Sequence, residues 1–423
     1  MTAALVSIGD ELLIGQTVNT NAAWLGAELA ECGVRVVGVA TVGDIEEAII
    51  AEIERATDGA DLVIVSGGLG PTHDDRTCDA VCTMLGCDRV VDQEQLARIE
   101  RRFAERGLEM NERSRRQAIV PSACTVLPNE TGSAPGLLFT WNDRPVYVLP
   151  GVPFELKSIA EASILPALRS QRGELRMRTW LTLGIIESAL ADRLEDATIP
   201  LLDSVVTLAY LPAAGGIRLR AMCERDDADA VDRYERLCQA IAGLAAPWIV
   251  ADRDATVAEV LGEELLARGL CLVTAESCTG GMIGAQITST PGASRWYLGG
   301  TVSYANDVKR SLLGVPPETI LAHGAVSGET VEAMALGARA RLGGDVSVAV
   351  SGIAGPGGGT PEKPVGTVWV AVVHGSDVRS ERHQLGRDRE TVRARAVAVA
   401  LNLALRMVRG TTASAAPASV PGS

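Results

Sequence analysis

Three polar side chains in the second half of the chain carry groups that together can open an amide. Ser294 precedes an apolar run, Tyr304 ends it ten residues later, and Lys309 lies five residues further on, one turn into an amphipathic stretch. A serine hydroxyl is a weak nucleophile until a base removes its proton. A lysine that has lost its hydration can be that base near neutral pH, and Ser–Lys pairs replace Ser–His–Asp on several folds. The spacing lets hydroxyl, phenol and amine meet at one strand end. Two rivals for the nucleophile, Ser277 and Cys278, sit in AESCTGG (275–281), where a strand passes into a helix whose positive N-terminus favours a thiolate or alkoxide. This turn, with Thr279 and Gly280, also reads as an anion cradle. Of the four histidines, His323, His374 and His383 fall in this half and none adjoins a glycine-flanked serine, so a histidine triad is disfavoured.

Two further loops bear on binding. SGIAGPGGGT (351–360), with Ser351 and Gly352, has a glycine density that allows close backbone approach to a ligand, and GRDR (386–389) offers Arg387 or Arg389 to fork onto a phosphate. In the first half, SGGLGPTHDDRT (66–77) follows an apolar strand. Gly67, Gly68 and Gly70 free the backbone to approach an anion at a helix start, with Thr72 beside them. Asp74 and Asp75 beside a phosphate site make sense if a divalent cation lies between carboxylates and phosphates. The competing reading is that they cap the following helix. Asp10 and Glu11 in GDELLIG (9–15) end the first strand and point to the same place, and Lys157 in PGVPFELK (150–157) could neutralise phosphate. A solvated loop role is preferred for His73.

These loops need strand ends and helix starts to hold them. In the first half apolar strands at 3–8, 34–41, 61–66 and 145–149 alternate with amphipathic helices at 20–32, 45–57, 75–86, 93–106 and 154–168, which predicts a parallel sheet with helices on both faces. Residues 173–250 read as a small α+β connector. From 251 strands at 271–275, 298–304, 346–351, 367–374 and 379–385 are interleaved with helices. A final helix at 388–408 carries the apolar stripe Val392, Ala396, Val399, Leu403, Met407. The expected divisions are 1–172, 173–250, 251–409 and a disordered tail at 410–423.

The 423 residues carry 39 basic and 53 acidic side chains, a net charge of −14, with no extended Lys/Arg cluster beyond Arg113–Arg116. That balance disfavours nucleic acid as a partner and leaves a nucleotide-sized anion open. No apolar run reaches the length of a membrane span, and the N-terminus lacks a basic segment and cleavage site. The nine cysteines are an odd, scattered set that fits reduced thiols, so a soluble cytoplasmic protein is expected.

As a set, GDELLIG, SGGLGPTHDDRT and PGVPFELK resemble the molybdopterin-binding fold. AESCTGG, SYANDVK (303–309), GAVS (324–327), SGIAGP with PVGTVWVA, and the GRDR helix start resemble the C-terminal domain of the CinA family. The resemblance spans almost the whole chain. It implies an α/β protein: a three-layer molybdopterin-binding-like domain, an α+β connector and an α/β deamidase domain. It also implies two activities. One is deamidation of nicotinamide mononucleotide, with Ser294 as nucleophile, Lys309 as base, Tyr304 as assisting donor, and Ser277, Thr279, Asn306 and Arg387 lining the nucleotide site. The other is metal-dependent hydrolysis of ADP-ribose, with Mg, Mn or Co held by Asp10, Asp74 and Asp75. The alternatives are molybdopterin or nucleotide binding by the N-terminal domain without hydrolysis, or a non-catalytic, competence-linked binding protein. A homodimer is expected from the resemblance and from the frequency of two-fold assemblies.

Overall fold

The computed structural model describes residues 1–70, 72, 75–170, 176–213 and 216–410. His73, Asp74 and the tail beyond Gly410 lie outside the described residues. The chain divides into two units, residues 1–175 and the remainder from Arg176.

In the first unit a six-stranded sheet runs in the order Arg35–Val42, Thr2–Ile8, Leu62–Ser66, Arg144–Leu149, Gly136–Trp141, Thr125–Leu127. Leu62–Ser66 is buried along its whole length, as an unbroken apolar run covered on both faces must be. Helices Glu46–Gly59 and Thr77–Leu85 cover one face, and Thr20–Glu31 and Pro153–Ile159 cover the other, which makes three layers. The parallel expectation holds for all four strands read from the sequence. The last two, Gly136–Trp141 and Thr125–Leu127, are not among them, and they pair antiparallel. The cause is local: Asn142 and Asp143 both adopt left-handed φ (48° and 59°), the geometry of a two-residue hairpin turn.

The second unit opens with a four-stranded antiparallel sheet, in the order Val206–Ala213, Gly216–Cys223, Arg176–Thr182, Ile249–Ala251. It is backed by helices Glu187–Thr198 and Ala228–Leu244. The first of these helices escapes the sequence reading. Several arginines of this layer are neutralised from within: Arg178 pairs with Asp252, and Arg218 and Arg220 both pair with Asp254 at 2.8 Å. Leu181 and Leu183 pack into the same apolar cluster as Ala255, Val257 and Val392, so this layer shares a core with the C-terminal part of the unit.

The remaining sheet runs Tyr297–Val302, Leu272–Glu276, Val346–Gly352, Thr367–His374, Asp377–Gln384, with the first three strands parallel and the last two antiparallel. Helices Val257–Arg268, Met282–Thr288 and Arg389–Arg409 cover one face, and Asn306–Leu313 and Gly328–Leu342 the other. Of the stripe on the last helix, Val392, Ala396 and Leu403 are fully buried, and Val399 and Met407 pack against the same cluster. Register places Glu276 level with Val302 on one side and Val350 on the other, so three loops leave the sheet side by side.

One glycine fixes how closely the helix carrying Lys309 sits. A Cβ at Gly337 would collide with the carbonyl of Leu313, at the end of helix Asn306–Leu313. In an open helix Gly→Ala stabilises by about 0.5–1 kcal/mol. Here overpacking reverses the sign, and Gly337→Ala should lower the unfolding free energy by roughly 1–3 kcal/mol. Chemical denaturation measures this, and a variant as stable as the parent would show that the helices separate without cost.

Candidate active site

Ser277, Ser303 with Tyr304, and Ile353 follow three adjacent parallel strands, the edge of an α/β sheet where ligands bind. Lys309 reaches this edge from the second turn of helix Asn306–Leu313. It is 1% exposed. Its Nζ lies 2.7 Å from the Ser303 carbonyl, 3.1 Å from the Tyr304 carbonyl and 3.0 Å from Ser277 Oγ. Burial without a carboxylate partner pushes its pKa below the ordinary lysine value. The three contacts match the amine's valences. An ammonium donates to all three oxygens. A neutral amine spends its two N–H bonds on the carbonyls and turns its lone pair to the Ser277 hydroxyl, which then donates to it.

The expected nucleophile, Ser294, is not part of this arrangement. It lies exposed in the short turn Ala293–Arg295, before the strand Tyr297–Val302, whereas Lys309 approaches the far end of that strand. Five strand steps at about 3.3 Å separate the two ends by roughly 16 Å. The start and finish of one strand are close in sequence and far apart in space. The hydroxyl within reach of the amine is that of Ser277, 8% exposed, whose N–H bonds the Val350 carbonyl.

The turn after Ser277 differs from an open anion cradle. Glu276, 2% exposed, folds its carboxylate onto the start of helix Met282–Thr288 and accepts N–H bonds from Gly281 (2.9 Å), Ile283 (3.1 Å) and Gly284 (2.9 Å). The helix N-terminus is therefore filled by the chain itself. Cys278 is correspondingly no thiolate: burial pushes its thiol up to about 11. The N–H groups of Cys278 and Thr279 have no backbone acceptor in this turn.

Around the dyad, the exposed phenol of Tyr304 accepts from Arg389 Nη2 at 3.1 Å, and Arg393 Nη2 donates to the Thr279 carbonyl at 3.0 Å. Arg393 was missed, although its four-residue offset from Arg389 places both on one helix face. Gly280 takes a left-handed φ of 62°, a conformation that strains residues with a side chain. Asn306 and Arg387 are exposed on the rim. Ser351 is committed elsewhere, its hydroxyl donating to the Ala325 carbonyl at 2.6 Å. Gly352 is needed because a Cβ would press on Val368 and Cys278.

In the first unit the glycine loop is likewise satisfied internally. Asp75 accepts from Gly70 N at 2.7 Å, from Thr72 N at 2.8 Å and from the Thr72 hydroxyl. A Cβ at Gly67 would strike the Ile8 carbonyl, and one at Gly68 the Thr77 hydroxyl, so these glycines serve close chain packing. Lys157 lies over the Trp24 ring, 5.3 Å from its centroid. Asp10 exchanges backbone bonds with Asp44, whose pKa is raised by burial and by the charges of Asp10, Glu11 and Asp75. Among the described residues no three Asp, Glu, His or Cys side chains gather to hold an ion. Of the expected set Asp10, Asp74 and Asp75, Asp74 lies outside the described residues. A cavity of about 220 Å³ opens beside the loop, with Gly68, Gly70, Thr72 and Asp75 on its wall together with Arg89 and Arg116. Arg116 belongs to the short basic run noted in the sequence, and Arg89 carries no sequence signal.

Comparison with known proteins identifies each region. Residues 4–170 match the model of the probable molybdopterin binding domain, 177–249 the damage-inducible protein CinA KH domain, and 254–408 the CinA C-terminal domain. The CinA-like protein of Salinibacter ruber is 44% identical over 395 residues, covering 92% of this chain and 95% of the relative. That of Gemmatimonas aurantiaca is 44% identical over 412 residues, 95% of each. Among solved structures, the competence/damage inducible protein of Agrobacterium tumefaciens is 39% identical and covers 38% of this chain and 99% of its own, with a TM-score of 0.35.

Glu276 has a measurable role in this geometry. Glu276→Gln replaces an acceptor oxygen with a donor that faces N–H groups, and should cost roughly 1–3 kcal/mol of stability. Glu276→Asp, one methylene too short, should not restore it. Unchanged melting of either variant would show that the helix start does not need the carboxylate.

Proposed function

The chain belongs to the CinA family, and from that premise we propose that its C-terminal half deamidates nicotinamide mononucleotide with Ser277 as nucleophile and Lys309 as base. The observation that carries this reading is the buried amine held by two carbonyls and one hydroxyl. Ser277 Oγ attacks the carboxamide carbon as its proton passes to Lys309 Nζ. The N–H groups of Cys278 and Thr279 are the donors we assign to the resulting oxyanion. Lys309 returns the proton to the leaving nitrogen, ammonia departs, and an acyl-serine remains. Water gives its proton to the regenerated amine and attacks the acyl carbon, and Lys309 returns that proton to the departing Ser277 oxygen, releasing the carboxylate and the free serine. Lys309 thus acts as base and then acid in each half of the reaction.

For the N-terminal half we propose hydrolysis of ADP-ribose at the cavity beside the glycine loop. Arg89 and Arg116 on its wall suit a diphosphate. The divalent cation expected from the family resemblance would draw on Asp74, and no step is assigned to it. Turnover of ADP-ribose with and without EDTA tests this half; full activity in EDTA would remove the cation from the reading.

Ammonia release from nicotinamide mononucleotide tests the C-terminal site. Ser277→Ala should lose roughly 10⁴-fold or more in kcat, while Ser294→Ala should stay near the parent rate. The opposite result would return the nucleophile to Ser294. Lys309→Arg, permanently charged, should lose about 10²- to 10⁴-fold. The pH profile follows from the lowered pKa. The ammonium cannot take the serine proton, so kcat/KM should rise with pH through the pKa of Lys309, at a midpoint below the ordinary lysine range. The unfolded chain binds this proton more tightly than the folded one, so stability should rise with pH up to the unfolded lysine pKa. A rate that falls across this range would exclude the neutral amine as base.

A further inference from the structure

Four cysteines of the first unit meet at one corner. Cys78 and Cys82 lie on helix Thr77–Leu85, Cys87 follows its end, and Cys124 precedes the strand Thr125–Leu127. Burial raises the Cys124 thiol, and the thiols of Cys87, Cys78 and Cys82 push it up further. All four are free, and among the described residues no three such side chains gather to hold a metal ion.

Backbone geometry singles out one pair. The helix ends on Gly86 at a φ of 60°. The Gly86 N–H bonds the Thr83 carbonyl at 3.3 Å, and the Cys87 N–H bonds the Cys82 carbonyl at 3.1 Å. This is a Schellman ending, which folds the residue after the glycine back against the residue five positions before it. An apolar pair commonly fills that contact. Here two thiols fill it, and they hydrogen bond to each other. A disulfide needs Cα atoms closer than about 7 Å. Two residues joined by an N–H···O bond of ordinary length meet that condition. Burial and the Cys87 thiol push Cys82 up to about 11, so it is protonated at rest, while Arg89 pulls the other way. Arg89 also pairs with Asp79 at 2.5 Å and stands on the wall of the cavity beside the glycine loop, as does Cys78.

We propose that Cys82 and Cys87 are a thiol-oxidation site, closed to a disulfide by exchange with a low-molecular-weight disulfide. The Cys87 thiolate attacks one sulfur of that compound, forming a mixed disulfide and releasing one small thiol. Cys82 then attacks the Cys87 sulfur and releases the second small thiol. The two cysteine protons end on the two released thiols. The pair is oxidised by two electrons and the small disulfide is reduced by two. Masking Cys87 takes away the neighbour that helps keep Cys82 protonated and leaves Arg89 to favour its thiolate. The new bond clasps the end of helix Thr77–Leu85 to the residue two before Arg89, where strand Arg89–Val91 begins.

The experiment incubates the full chain with oxidised glutathione, alkylates the remaining thiols and maps tryptic peptides by mass spectrometry. Cleavage after Arg76 and Arg89 releases Cys78, Cys82 and Cys87 in one peptide. That peptide should lose two hydrogens and carry a single alkyl label, on Cys78, and dithiothreitol should restore all three labelling sites. Cys82→Ser should stop at a glutathione adduct on Cys87, and Cys124→Ser should form the same link as the parent. A parent peptide that keeps three labels, stops at an adduct, links Cys78, or is joined to the peptide carrying Cys124 overturns the site. So does a Cys82→Ser chain with no adduct on Cys87. The parent's map needs no variant, so the result stands even where a substitution prevents folding.

Discussion

A lysine removed from water and given no counter-charge governs the second unit. Its ammonium form would sit in a low-dielectric interior facing only neutral oxygens, so burial tilts the group toward the free amine. That preference is useful only if the lone pair points at a hydroxyl. Two parallel strands make it do so. They end level with one another, and their following residues supply the two carbonyls and the serine. Helix Asn306–Leu313 must then lie close enough for a side chain of fixed length to reach, which the absent Cβ at Gly337 permits. Sheet register, helix approach and proton affinity are parts of one requirement.

Both halves contain glycine-rich turns that open a helix, and in both the chain supplies its own anion. Glu276 closes the turn after Ser277, and Asp75 closes the loop from Gly70 to Thr72. The partners differ. Glu276 takes N–H groups at a helix start, which must find acceptors, and Asp75 takes two N–H groups of the loop itself.

The connector layer shows a different economy. Its arginines are matched by aspartates of the same unit, and its leucines enter the core of the neighbouring sheet. Exposed ion pairs of this kind add little stability. Their effect is to leave a module related to the KH domain without uncompensated charge on those strands.

Apolar periodicity determined most of the elements. The buried run Leu62–Ser66, the alternating faces of the helices and the stripe on helix Arg389–Arg409 follow from how many sides of an element are covered, a local property of the residues. The set of motifs identified the family, and the spacing marked Lys309 as a member of the strand-end cluster. Which serine lies beside it was not legible. Ser294 and Ser277 are both near strand ends in sequence, and only the parallel pairing of Leu272–Glu276 with Tyr297–Val302 decides which end faces the amine. The antiparallel strands after Thr125, the carboxylates that fill the glycine turns and the arginine beside Thr279 belong to the same class. Each depends on residues distant in the chain meeting in space, and one-dimensional spacing does not encode that meeting.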